Sequence, residues 1–203
     1  MTNVTEPAAT DRLPQLHILI ASTRPGRVGL RIGEWVRDRA VAHGGFAVTL
    51  VDLAVVNLPF LDEPHHPRLH NYIHQHTKDW SAQVTAADAF VFVTPEYNYG
   101  INAPLKNAID FLNQEWQYKP VGFVSYGGIS GGTRAVQMTK QVITTLKMTP
   151  ITEAVAIPFV NQHLDAEGHF QPTPSMETAL TGVLDELARV TPALQTLRAP
   201  RET

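Results

Sequence analysis

Ala89-Phe90-Val91-Phe92-Val93, running directly into Thr94-Pro95-Glu96-Tyr97-Asn98-Tyr99-Gly100, is the stretch from which the fold can be read. Five consecutive β-branched, aromatic and small apolar residues have the length of a strand and fall short of a buried helix. Because both alternating faces are apolar, the strand is covered on both sides, as in a parallel sheet between helical layers. The segment behind it is stiffened by Pro95 and carries two tyrosines and an amide. A loop of that kind holds a flat heteroaromatic ring, with fixed backbone groups along the polar edge and aromatic surface around it.

Working outward, apolar runs of strand length recur at His17–Ala21, Ala47–Val51, Val121–Ser125 and Glu153–Ile157. Helix-period segments separate them, at roughly 28–43, 71–86, 102–114 and 132–147, with a last helix near 174–197. Five such βα units predict an α/β three-layer sandwich around a five-stranded parallel sheet in the order 2-1-3-4-5. Residues 57–70, rich in Pro and His, read as a surface loop with the character of a lid.

The chain has 203 residues, 43% of them hydrophobic, enough for one well-buried core. One domain is expected over 15–197, with disordered tails at 1–14 and 198–203. A net charge of −3 without a long basic block excludes nucleic acid and anionic membrane as main partners. The absence of cysteine removes disulfides, thiolate nucleophiles and thiolate metal sites. No segment reads as a signal peptide or a membrane span, so the expectation is a cytoplasmic enzyme or carrier.

In a sheet of this order the ligand lies beyond the carboxyl ends of the strands, where the loops after strands 1, 3 and 4 meet. The first, Ser22-Thr23-Arg24-Pro25-Gly26-Arg27-Val28-Gly29, brings hydroxyls and guanidiniums to a helix N-terminus, which favours an anion. Neither G-x-G-x-x-G nor the P-loop pattern is present, and the donor set suits a terminal phosphate monoester. The competing reading is an N-cap with surface arginines. The fourth-strand loop, Ser125-Tyr126-Gly127-Gly128-Ile129-Ser130-Gly131-Gly132-Thr133, lets backbone approach a ligand, and Thr133 is placed to cap the next helix.

That loop also satisfies G-x-S-x-G, which would make Ser130 the nucleophile of a serine hydrolase. Two residues intervene before the motif, however, and Asp165 and His169 stand too close together for its acid and base. Lys106 and Asp110 read as a solvated i,i+4 pair. His70 and His74 would share a helical face at a spacing zinc sites use, but no H-E-x-x-H accompanies them, so no metal is expected.

Taken together, the Ser22–Arg27 loop, the Pro95–Asn98 loop with its Lys106–Asp110 helix and the Ser125–Gly132 loop resemble the NADPH-dependent FMN reductase family. Its members are flavodoxin-like and include quinone, azo-dye and chromate reductases. The resemblance implies that Ser22 and Arg24, with backbone N–H groups near Val28 and Gly29, hold the FMN phosphate. Arg27 stands where many relatives carry serine, and a second guanidinium can replace that hydroxyl. Pro95, Glu96, Tyr97 and Asn98 would line the isoalloxazine, while Ser125, Tyr126, Gly127 and Gly128 contact its other side. The implied chemistry is ping-pong hydride transfer from NADPH (or NADH) through flavin N5 to a small-molecule electron acceptor, without a catalytic side chain. Backbone donors at Gly127 and Gly128 would steady the reduced flavin's charge. The resemblance further implies a homodimer or homotetramer, with Glu96, Tyr97 and the following helix serving assembly too. A flavodoxin-type electron carrier is the main alternative, but such carriers are usually strongly acidic and this chain is not.

Overall fold

The computed structural model describes residues 12–198. The expected tails therefore lie largely outside the described residues. Arg198, placed by sequence at the start of the second tail, donates to the Asp88 carboxylate at 3.0 Å and to the Tyr118 carbonyl at 3.1 Å.

Five strands form one parallel sheet in the order β2-β1-β3-β4-β5: β1 (Gln15–Ile20), β2 (Ala47–Asp52), β3 (Ala89–Pro95), β4 (Pro120–Tyr126) and β5 (Thr149–Ile157). The connecting helices are α1 (Gly29–His43), a short α2 (Leu53–Val56), α3 (Gln75–Ala86), α4 (Ala103–Asp110) and α5 (Thr133–Thr145), and α6 (Pro174–Gln195) closes the chain. The expected flavodoxin-like order is thus observed. None of the described helices is long and apolar enough to cross a membrane.

Alternation along β3 splits the core in two. Val91 and Val93 face α1 and α6, whereas Phe90 and Phe92 face α3, α4 and α5, and all four are buried. The second face is aromatic, and both of its buried indoles are satisfied. Trp80 Nε1 donates to the Ala108 carbonyl at 2.8 Å and Trp116 Nε1 to Ile109 at 3.1 Å.

Three boundaries differ from expectation for local reasons. Helix α3 begins at Gln75 rather than near 71, because His70 is left-handed (φ 51°) and Glu63 accepts from the N–H groups of Ile73 and His74. His70 and His74 consequently share no helical face. Thr133 does not cap α5. Gly132 holds that position at φ 87°, where an added Cβ would meet Tyr126 N at 2.7 Å, so only glycine fits. Helix α2 was not foreseen; Asp52 starts it by accepting from Ala54 N at 2.9 Å.

Residues 57–74 form an exposed strap with one 3-10 turn at Pro67–Leu69. Its far end is tied down by Glu115, a buried carboxylate. Tyr72 Oη (2.8 Å) and Ser81 Oγ (2.7 Å) donate to Glu115 Oε1, His70 Nδ1 lies 3.2 Å away, and Asn113 N donates to Oε2 at 3.2 Å.

Candidate functional site

Four loops leave the carboxyl edge of the sheet and surround a cavity of about 440 Å³, within the range of small-molecule sites. Its wall is made by Arg24 and Val28, Pro95 to Tyr97, Tyr126 to Gly128, and Phe159 to Gln162. Most of the residues expected from sequence are therefore brought together. The Phe159–Gln162 wall, after β5, was not foreseen.

The floor beside the first loop has the character of an anion cradle. Ser22 Oγ and Tyr126 Oη are both buried and lie side by side, and no other group among the described residues hydrogen-bonds either of them. Both press against Gly29, where an added Cβ would collide with the two oxygens. Val28, at the N-cap of α1 and on the cavity wall, makes no side-chain cap hydrogen bond, so the first-turn N–H groups are left without a cap. Arg24 is exposed and makes no ion pair among the described residues. Burial pushes the Tyr126 phenol well above its ordinary range, against the opposing influence of Ser22, so it remains a neutral donor. Two orphaned hydroxyls, a bare helix N-terminus and a free guanidinium match a terminal phosphate in donor type and charge.

Arg27 is otherwise engaged. Its guanidinium pairs with Asp52 at the end of β2, tying the first loop to the neighbouring strand. Ser125 is likewise used by the fold: its hydroxyl donates to the Gly131 carbonyl at 2.8 Å, so only its backbone is left for a ligand. Asn98 sits at the tip of a turn closed by Tyr97 and Gly100, at φ 49°, with Tyr99 at φ 70°, and does not reach the cavity wall.

Glu96 lines the cavity but its carboxylate is committed. It accepts from Arg134 Nε at 2.6 Å, from Arg134 N at 3.1 Å and from Ser130 Oγ at 2.9 Å, joining the third loop to the start of α5. Burial pushes the Glu96 carboxyl up, but the Arg134 and Ser130 bonds outweigh it and hold it below the usual carboxylate range. The Arg134 guanidinium also lies 3.6 Å from the Tyr99 ring centre. Ser130 is thus a donor to a carboxylate, with no histidine among its hydrogen-bond partners, which corrects the nucleophile-elbow reading. Asp165 and His169 bond each other at 3.2 Å within their own turn.

Asn102 is a further residue that sequence reading missed. Fully buried, it caps α4 through Leu105 N at 2.9 Å and donates to the Ala21 carbonyl at 3.1 Å, fixing the third loop against the first. Its signal was present in Asn before Ala-Pro at a helix start. A second cavity of about 340 Å³ lies beyond Thr23, between α2 and α4. Its lining residues carry no charge.

Residues 14–162 match the family of NADPH-dependent FMN reductases. An NAD(P)H-dependent FMN reductase of Schizosaccharomyces pombe is 40% identical over 149 residues, 71% of this chain and 74% of its own length. The corresponding reductase of Saccharomyces cerevisiae is 36% identical over 153 residues, 70% and 80% of the two chains. Among solved structures, the flavoenzyme NAD(P)H:(acceptor) oxidoreductase FerB of Paracoccus denitrificans shares the fold with a TM-score of 0.70 at 17% identity, over 89% of this chain and 98% of that one. The chain therefore belongs to the NADPH-dependent FMN reductase family of oxidoreductases.

Proposed function

We propose that the cavity holds FMN, with its phosphate on Ser22, Arg24, Tyr126 and the α1 N-terminus and its ring between the Pro95–Tyr97 and Gly127–Gly128 loops. The observation that carries this reading is the pair of buried hydroxyls with no partner beyond each other, beside a bare helix end. The protein is then an NAD(P)H-dependent reductase, and the bound flavin supplies two-electron chemistry at N5, serving NADPH and a small acceptor in turn. A quinone, an azo compound, a metal oxyanion or free flavin would be such an acceptor.

The chain's own residues bind and orient. Pro95 and the backbone bond from Glu96 N to the Tyr126 carbonyl (3.1 Å) hold the third loop in place beside the fourth. An added Cβ at Gly128 would meet nothing within 4 Å, so no packing demands glycine there. Its bareness keeps the cavity floor clear for a ligand and its N–H accessible, whereas the Gly127 N–H, also expected to face the flavin, donates to the Ile157 carbonyl at 3.2 Å. Arg27 is outside this set because Asp52 holds it. A homo-oligomer in a cytoplasmic setting completes the proposal, with the exposed Tyr97–Gly100 turn contributing to the contact.

The reading is tested by the absorbance spectrum of the purified protein and by FMN titration, followed by anaerobic NADPH. Flavin bands that bleach on addition are expected. Failure to bind FMN overturns the reading, and binding without NADPH oxidation assigns an electron carrier instead. Arg24→Ala is expected to weaken FMN binding about tenfold or more while leaving riboflavin within about twofold, since a charge-assisted bond to phosphate is lost. Equal losses would remove the phosphate assignment.

A further inference from the structure

Phe159 is the one aromatic residue of the cavity wall whose backbone is left-handed, at φ 47° and ψ 47°. A bulky L-residue is strained there, and the conformation persists only where its surroundings impose it. They do: Phe159 N donates to the Gly128 carbonyl at 3.0 Å, Val160 N to the Gly127 carbonyl at 3.2 Å, and Gln162 N back to the Phe159 carbonyl at 2.8 Å. Val160 is buried in the core, while Phe159 remains 48% exposed at the cavity. A residue held in a disfavoured conformation to keep an aromatic ring out of the core has no packing reason for being phenylalanine.

The order of strands places this ring. The loops after β3, β4 and β5 are neighbours, so Tyr97 and Phe159 stand on opposite sides of the bare Gly127–Gly128 floor. The first loop, with its anion cradle, leaves β1 three strand spacings from β5, about 14 Å away. Once the phosphate is given to the first loop and the flavin edge to the third and fourth, the wall left over is the fifth. It offers an aromatic face beside two exposed amides, Asn161 and Gln162.

We infer that Phe159 is a specificity-determining residue of the substrate station. Its ring stacks an electron-poor, carbonyl-bearing six-membered ring, such as a nicotinamide or a quinone, with the Asn161 and Gln162 amides beside its polar edge. This rests on the reading of the cavity as a flavin site.

FMN-saturated wild type, Phe159→Ala, Phe159→Gly and Phe159→Tyr are compared by anaerobic rapid mixing, first against NADPH alone and then, once reduced, against benzoquinone alone. FMN affinity is expected to stay within about twofold throughout. Phe159→Ala weakens saturation by at least one of the two substrates about 3- to 10-fold, and Phe159→Tyr restores it. Loss in the NADPH arm assigns the nicotinamide, and loss in the benzoquinone arm assigns the acceptor. Phe159→Gly, relieved of the left-handed strain, melts at or above the wild type and shows the same kinetic loss, which separates stacking from folding. Unchanged saturation in both arms overturns the inference. So does a fall in FMN affinity as large as the kinetic loss, which would place Phe159 in the flavin subsite. A wild type that binds no FMN overturns the reading of the cavity itself, and this inference with it.

Discussion

Ser22 carries its hydroxyl, fully buried, to a spot where the Tyr126 hydroxyl is its one polar neighbour among the described residues and no well-formed hydrogen bond is made. An unmet buried donor lowers stability, so Ser22→Ala is expected to raise the melting point of the flavin-free protein, by the equivalent of about 1 kcal/mol, while weakening FMN binding. A lower melting point on removal of the hydroxyl would show that it has a partner in the free protein. Gly29, under the cradle, and Gly128, on the cavity wall, separate in the same way. Gly29→Ala drives a methyl into Ser22 and Tyr126 and is expected to destabilise by about 1–3 kcal/mol, whereas Gly128→Ala enters open space and should leave the unfolding midpoint unmoved while reducing FMN affinity. Urea titration with and without FMN checks both. At this scale the sequence was a good guide to residue type and a poor one to partner. Arg24 and Arg27 look equivalent in the loop, yet Asp52, 25 residues further on, claims only Arg27. Ser125 was lost to Gly131 because a hydroxyl at a strand end serves a loop carbonyl as readily as a ligand.

Between elements, the Glu96–Arg134 pair fastens the β3 loop to α5. Arg134→Ala removes the guanidinium bonds from a buried carboxylate and the face over Tyr99, and the melting point is expected to fall by several degrees, with weaker flavin binding. Arg134→Lys should recover little of it, since one ammonium cannot bond Glu96 Oε1 and Ser130 Oγ in the same fork. A full recovery by lysine, read by calorimetry, would reduce the contact to simple charge. All five strands and the five longer helices were legible, because continuous apolar runs and 3.6-residue periodicity act locally. The wall after β5 was not. Left-handed phenylalanine has no sequence signature of the kind glycine or asparagine gives, and its conformation is imposed by carbonyls of another loop.

For the whole molecule, the two edges of the sheet divide the work. The carboxyl edge carries the cavity, and the amino edge carries a partly buried charge cluster of Asp88, Arg198, Lys119 and His17. Burial, with the Lys119 charge adding to it and Asp88 opposing, holds the His17 pKa down at about 4, against 6.5 when unfolded. Between those values the unfolded chain takes up a proton that the folded chain refuses, so stability falls as pH drops from 6.5 towards 4, by about 3 kcal/mol from this group. Urea midpoints at pH 7 and 4.5 should show the loss, and His17→Gln should flatten it. An unchanged slope would place the acid sensitivity elsewhere. The overall architecture could be read from the chain because the three central strands are buried on both sides, whereas the charge cluster could not, since its members come from separate parts of the sequence. The Glu115 carboxylate gives the molecule one more property. Because a single group gathers Tyr72, Ser81, Asn113 and His70, the strap of residues 57–74 has a common anchor on the body. Its amides are therefore expected to exchange with deuterated solvent in one concerted opening, well below the free energy of global unfolding, and Glu115→Gln should speed that opening without moving the exchange of the β3 amides.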